Sequence, residues 1–228
     1  MAKTSKIPRW KHLLSYLADI PIDEGRTEVN PSLQLQLSKG RFCLSTPNAV
    51  YSYGDLYRNY FEAFKRLNLP ALRGQEVLLL GLGMGSIPFM LEKKFGMKYC
   101  YTAVELDEVI ASWATEYTLP ELASPVTIYT ADAYQFVMNT TQQFDLIAVD
   151  IFLDEMVPDT FDNPAFAARL NELLKDEGLI IWNRLADSKF RQRTTDYFQK
   201  IFKTVFPEAV SFEIGANWML MNHGRFSK

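Results

Sequence analysis

The spacing of apolar positions changes period three times along the chain. Over 8–19, Trp10, Leu13, Leu14 and Leu17 recur at helical spacing, which predicts a short amphipathic helix whose stripe needs a surface to cover. From Leu33 the period becomes two: Leu33, Leu35 and Leu37 alternate with Gln34 and Gln36, Lys39-Gly40 turns the chain, and 41–45 returns it. That pattern predicts a small β-hairpin module. Helical spacing resumes over 55–68, with Leu56, Tyr60, Ala63, Phe64 and Leu67 on one face, and Pro70 ends the element.

From Glu76 onward short apolar runs alternate with helical patterns. Strands are expected at 77–81, 99–105, 126–130, 144–150 and 179–183. The helices between and after them are expected at 85–95, 107–117, 132–138, a segment carrying Phe166, Leu170, Leu173 and Leu174, and 188–203. Pro88 is tolerable because it falls in a first turn. Two last runs, 209–214 and 217–222, are separated by Gly215-Ala216 and are expected to pair antiparallel. Five β-α units followed by such a pair predict an α/β fold: a doubly wound, Rossmann-like seven-stranded sheet with helices on both faces. The expected division is 1–70 for the helix, hairpin module and linking helix, and 71–228 for the sheet domain.

Ligands of such sheets bind at the carboxyl ends of the strands, so the residues there carry the chemistry. Strand one, Val77-Leu78-Leu79-Leu80, breaks into Gly81, Gly83 and Gly85, a turn where backbone approaches a ligand closely and a helix N-terminus offers free N–H groups. Strand two ends in Glu105, which is 105 − 81 = 24 residues after the first glycine and is placed to accept hydrogen bonds from a ribose diol. Asp132 and Asp150 close strands three and four. Asp132, beside Ala133, is a candidate acceptor for an exocyclic amine, or simply a helix cap; Leu106 offers an apolar surface for a base, or is a core residue. The glycines also approximate a dinucleotide pattern through Gly81, Gly83 and Ser86. The sheet nearly exhausts the sequence by residue 222, leaving little for the substrate domain of a dehydrogenase. An S-adenosylmethionine-dependent transferase fits better.

Composition narrows the classes. With 48 % hydrophobic and 14 % aromatic residues the chain has material for a large core. A net charge of −3 without a basic block argues against nucleic-acid binding. Cys43 and Cys100 have no paired spacing, and with only His12 and His223 besides, a metal site is not expected. No run approaches a bilayer-spanning length, and 1–10 lacks the apolar core of a signal peptide, so a soluble, cytoplasmic protein with reduced thiols and no membrane partner is expected.

Leu-Gly-Leu-Gly-Met-Gly at 80–85, Val-Glu-Leu-Asp at 104–107, Ala-Asp-Ala at 131–133 and Phe-Asp-Leu-Ile-Ala-Val-Asp at 144–150 resemble the catalytic domain of spermidine synthases and related polyamine aminopropyltransferases. The hairpin module and Tyr60-Phe61-Glu62 resemble that family's N-terminal β-domain and a tyrosine-containing segment. The resemblance implies an adenosyl site at Gly81, Leu82, Gly83, Met84, Gly85, Glu105, Leu106, Asp132, Ala133 and Asp150, and pairing of two copies as a homodimer.

Two departures bear on the reaction. The family carries an aspartate within the glycine turn where this chain has Met84, and a second acid three residues after the strand-four acid where this chain reads Asp150-Ile151-Phe152-Leu153-Asp154. The resemblance gives those acids the grip on the cationic tail of decarboxylated S-adenosylmethionine and on the attacking amine. Replacing the turn acid by Met84 also removes a like charge facing the carboxylate of intact S-adenosylmethionine, while Leu79 stands where many methyltransferases keep an acid for the amino-acid tail. A methyltransferase with a small-molecule acceptor is therefore the first expectation. An aminopropyltransferase using decarboxylated S-adenosylmethionine is the second, and a non-catalytic adenosyl-binding protein the third. Asp150 is the candidate for holding or deprotonating the acceptor, assisted by Tyr60 and Asp154. The loop 151–163 is expected to close over the acceptor or to cover the sheet edge.

Overall fold

A computed structural model describes residues 7–153 and 156–228. The first helix, α1 (Arg9–Leu14), is shorter than the 8–19 that the spacing predicts, and the apolar stripe is left uncovered in the single chain: Trp10, Leu13 and, in the turn after the helix, Leu17 are exposed. The next module is larger than a hairpin. Strands β1 (Ile20–Gly25), β2 (Leu33–Ser38), β3 (Arg41–Ser45) and β4 (Val50–Ser52) form an antiparallel sheet in the order β1-β2-β3-β4. Two of these strands escape the period-two pattern for local reasons. Pro21 and a register shift between Pro21 and Asp23 break the alternation of β1, and β4 is three residues long. The inward leucines of β2 are fully buried and pack with Phe42, Leu44, Met84 and Trp113 in one apolar cluster.

After helix α2 (Arg58–Lys65), the chain builds the parallel sheet. Its strands are β5 (Glu76–Leu80), β6 (Cys100–Glu105), β7 (Val126–Thr130), β8 (Phe144–Val149), β9 (Leu174–Leu185), β10 (Val210–Ile214) and β11 (Asn217–Met221), in the order β10-β11-β9-β8-β5-β6-β7. Val77, Leu78, Leu79 and Leu80 are fully buried because both faces of β5 are covered. Cores lie on the two sides: one holds Tyr60, Phe64, Leu79 and Tyr101, the other Leu78, Phe166, Trp182 and Phe202. Helices α3 (Ser86–Lys93), α4 (Glu108–Trp113), α5 (Ala133–Asn139), α6 (Pro164–Leu173) and α7 (Arg191–Tyr197) supply the layers, with a π turn (Phe198–Phe202) continuing α7.

The final pair joins antiparallel as expected, β10 to β11 and β11 to β9. Strand β9 starts earlier than the sequence suggests: its polar opening, Lys175-Asp176-Glu177-Gly178, reads as a loop but continues straight from α6. Sheet order reverses between β5 and β8, so the turn after β5 and the residues after β8 face each other at the switch point. Among the described residues no helix is long and apolar enough to cross a membrane, and no cluster of three metal-ligating side chains is present. Cys43 and Cys100 are both free.

Candidate active site

The turn after β5 is held by the strand beside it. Gly81 N–H donates to the Val104 carbonyl at 2.9 Å, and Glu105 at the tip of β6 folds its carboxylate under the turn. One carboxylate oxygen accepts from Leu82 N–H at 3.1 Å and Gly83 N–H at 2.9 Å, the other from Asp107 N–H at 3.1 Å. Burial pushes the Glu105 carboxyl up, and these three N–H donors oppose that rise. Gly81 has φ 89°, and a Cβ there would lie 2.2 Å from the Asp150 carbonyl oxygen. The glycine thus lets the ends of β5 and β8 close on each other.

Those strand ends border a cavity of about 480 Å³. Gly81, Gly83, Glu105 and Asp150 line its floor, Leu106, Asp132 and Ala133 one side. Asp132 serves two purposes, since it lines the cavity and its carboxylate accepts from Gln135 N–H at 2.8 Å as the cap of α5. The N-terminal sheet supplies a further wall through Asn30, Val50 and Tyr51. The connection from β8 to α6 supplies the roof through Ile151, Phe152, Thr160 and Phe161. The roof is tied down by Asp162, whose carboxylate bridges Arg184 at 2.6 Å and Arg193 at 2.7 Å. Arg184, 1 % exposed, lies over the Tyr197 ring at 4.0 Å.

Asp150 is the chemical focus. Its Oδ1 accepts from Asn183 Nδ2 at 2.9 Å and from the Tyr57 hydroxyl at 3.2 Å, and among the described residues Oδ2 receives no bond. Burial raises its carboxyl to about 7; the Asn183 and Tyr57 donors hold it down and the Glu105 charge lifts it further. A group poised there changes protonation near neutrality, as a general base must. The Tyr57 phenol is raised well above its ordinary value by burial and by the Asp150 charge, so it stays protonated and acts as a donor. Four carboxylates line the cavity, Glu105, Asp132, Asp150 and Asp187, and no lysine, arginine or histidine does so among the described residues. The site favours cationic or neutral ligands over anionic ones.

The model of the spermine/spermidine synthase domain matches residues 63–216. The chain belongs to the spermine/spermidine synthase family. It is similar to a polyamine aminopropyltransferase of Vibrio vulnificus, 26 % identical over 164 residues, which are 69 % of this chain and 53 % of that protein. It is also similar to an N-terminal histidine N-methyltransferase of Emericella nidulans, 31 % identical over 160 residues, which are 65 % of this chain and 27 % of that protein. The chain thus spans about half the length of the first relative and about a quarter of the second. Among solved structures, a probable spermidine synthase from Corynebacterium glutamicum shares the fold with a TM-score of 0.68 at 18 % identity, over 88 % of this chain and 78 % of that one. Both curated relatives are transferases by name.

Not every sequence-predicted residue reaches the cavity. Met84 is 1 % exposed and turned away, packed among the leucines of β2 and β3. Gly85, with φ 78°, is the left-handed residue that opens α3, and Leu82 contributes its N–H to Glu105 while its side chain joins the core. Tyr60 needs correction as a catalytic candidate: it is fully buried, and its hydroxyl meets the Val149 carbonyl at 2.9 Å and the Ile181 carbonyl at 3.1 Å. It fastens α2 to the strand ends, and Tyr57, one turn earlier, takes the place beside Asp150. Asp154 lies outside the described residues. Sequence reasoning also missed Asn183 and Asn217. A strand-end scan for acids passes over amides, although Asn183 lies two residues before the end of β9 and Asp150 directly follows β8.

Proposed function

We propose that this chain is an S-adenosylmethionine-dependent methyltransferase acting on an amine of a small acceptor. The observation that carries the reading is a pair of facts about the strand ends: the turn, with Met84 packed into the N-terminal leucines, presents no acid to the donor's tail, while one buried carboxylate, Asp150, raised to about 7, stands at the switch point. The residues fit an adenosyl group. Gly81 and Gly83 leave the floor open, Glu105 offers remaining lone pairs to ribose hydroxyls, and Asp132 and Leu106 stand where a base would lie. When bound, S-adenosylmethionine supplies a methyl group on a sulfonium, a leaving group already activated.

This chain's residues then have defined tasks. Asp150 Oδ2 would accept the proton that an acceptor ammonium must lose, leaving the amine nitrogen with a free lone pair to receive the methyl group. Tyr57 and Asn183 hold the carboxylate at Oδ1. The roof formed by Ile151, Phe152 and Phe161 excludes water, which strengthens the attraction between carboxylate and amine.

A second reading is aminopropyl transfer, favoured by the absence of cationic side chains among the described lining residues, because the carboxylate of intact S-adenosylmethionine then has no counter-ion. One experiment separates the two. The full chain is incubated with a panel of amines and either intact or decarboxylated S-adenosylmethionine, and nucleoside products are quantified. Amine-dependent S-adenosylhomocysteine is expected. Putrescine-dependent methylthioadenosine from the decarboxylated donor alone would sink the methyltransferase reading.

A further inference from the structure

Asn183 lies fully buried on β9 and Asn217 half-buried at the start of β11. The register pairs Asn217 with Leu185, so Asn183 is its diagonal neighbour on the same face of the antiparallel pair. Asn217 Nδ2 donates to Asn183 Oδ1 at 2.9 Å, and Asn183 Nδ2 donates to Asp150 Oδ1 at 2.9 Å. An amide has one donating and one accepting end, and an ionised carboxylate only accepts. The donor from Asn217 therefore fixes which end of Asn183 faces Asp150. A reversed Asn183 would set its Oδ1 against the Asp150 carboxylate, acceptor against acceptor, and its Nδ2 against Asn217 Nδ2, donor against donor.

We propose that Asn217 and Asn183 form a two-amide positioning relay for Asp150: it saturates Oδ1 together with Tyr57 and leaves Oδ2 as the oxygen offered to the acceptor. The proposal rests on the reading of Asp150 as the acceptor-facing group. It adds two positioning residues from the C-terminal antiparallel pair, the part of the sheet farthest in sequence from the glycine turn. The relay also sets the proton affinity of Asp150. The groups facing that carboxylate are Tyr57 and Tyr60 from the α2 side, Glu105 from β6, and Asp187 lining the same cavity beyond β9. With burial and the Glu105 charge raising its affinity for a proton and no cation lining the cavity among the described residues, the Asn183 amide and the Tyr57 hydroxyl are the counterweight, and Asn217 acts through Asn183.

The test is carboxyl carbon NMR of the full chain labelled at aspartate, with the Asp150 resonance identified by its loss in Asp150→Asn. Asn183→Leu removes the donor that touches Asp150. Asn217→Leu removes only the donor that orients Asn183, at a position that does not contact the carboxylate. The Asp150 midpoint is expected to rise by about one pH unit in Asn183→Leu and by a smaller amount, in the same direction, in Asn217→Leu. The pH at which turnover reaches half its maximum should rise in step. An unchanged midpoint in folded Asn217→Leu overturns the relay, and that variant decides the matter alone should Asn183→Leu not fold. Shifted midpoints in a protein that transfers no group to any acceptor would support the relay while overturning the proposed function.

Discussion

At the scale of single residues, Asp150 concentrates both a functional benefit and a stability cost. Its carboxyl is raised to about 7, against about 3.9 for an unfolded aspartate. Between those values the folded chain binds a proton that the unfolded chain has released, so stability falls as pH rises through this window, by on the order of 4 kcal/mol. Asp150→Asn removes the titration and is expected to raise the melting temperature at pH 8 while changing it little at pH 4, as thermal scans at the two values would show. The same variant should lower turnover by about a hundred- to ten-thousandfold, since the proton acceptor is gone. Turnover of the unaltered chain should climb as pH rises through about 7, where the carboxylate becomes the prevailing form. Glu105 is predicted to act on binding. Glu105→Ala removes the acceptor offered to the ribose and the support of the turn amides, and calorimetry should record adenosyl affinity weakened by about 10- to 100-fold.

At the scale of elements, the close approach of β5 and β8 makes its own prediction. Gly81→Ala sets a Cβ 2.2 Å from a backbone oxygen that has nowhere to go, and is expected to cost ~3 kcal/mol in denaturant titrations. Gly96→Ala, also at positive φ but with nothing within 4 Å, should cost about 1 kcal/mol. The difference between the two measures the crowding rather than the dihedral. Elements were legible in the sequence where burial imposes a period: β5, β6 and β8 are buried runs, and β2 alternates cleanly. They were illegible where tertiary pairing overrides composition, as in the polar start of β9 and the three-residue β4. The site divides in the same way. Glu105, Asp132 and Asp150 stood out because acids at strand ends are few, and all three line the cavity. Tyr57, Asn183 and Asn217 carry no spacing signal, because what brings them to Asp150 is the folding of three separate segments onto one sheet edge.

At the scale of the whole molecule, a buried carboxylate is one of the ties between the N-terminal module and the parallel-sheet domain. Asp107, 1 % exposed, accepts from Val109 N–H at 2.9 Å as the cap of α4. Its other oxygen accepts from the Thr27 hydroxyl at 2.6 Å and the Asn30 amide at 2.8 Å. Asn30 lines the cavity, so this residue carries part of the N-terminal wall into the candidate site. Asp107→Ala leaves two buried donors and a helix end without their acceptor. It should destabilise the chain by roughly 3 kcal/mol in denaturant titrations and weaken adenosyl binding in parallel. The packing of Met84 has a further consequence. Its side chain is a structural member of the contact between the N-terminal leucines and the glycine turn, so Met84→Asp would place a carboxylate among those apolar side chains and loosen the contact. This turn position, next in sequence to the cavity floor, thus works as a fastener between two parts of the chain rather than as a wall of the cavity.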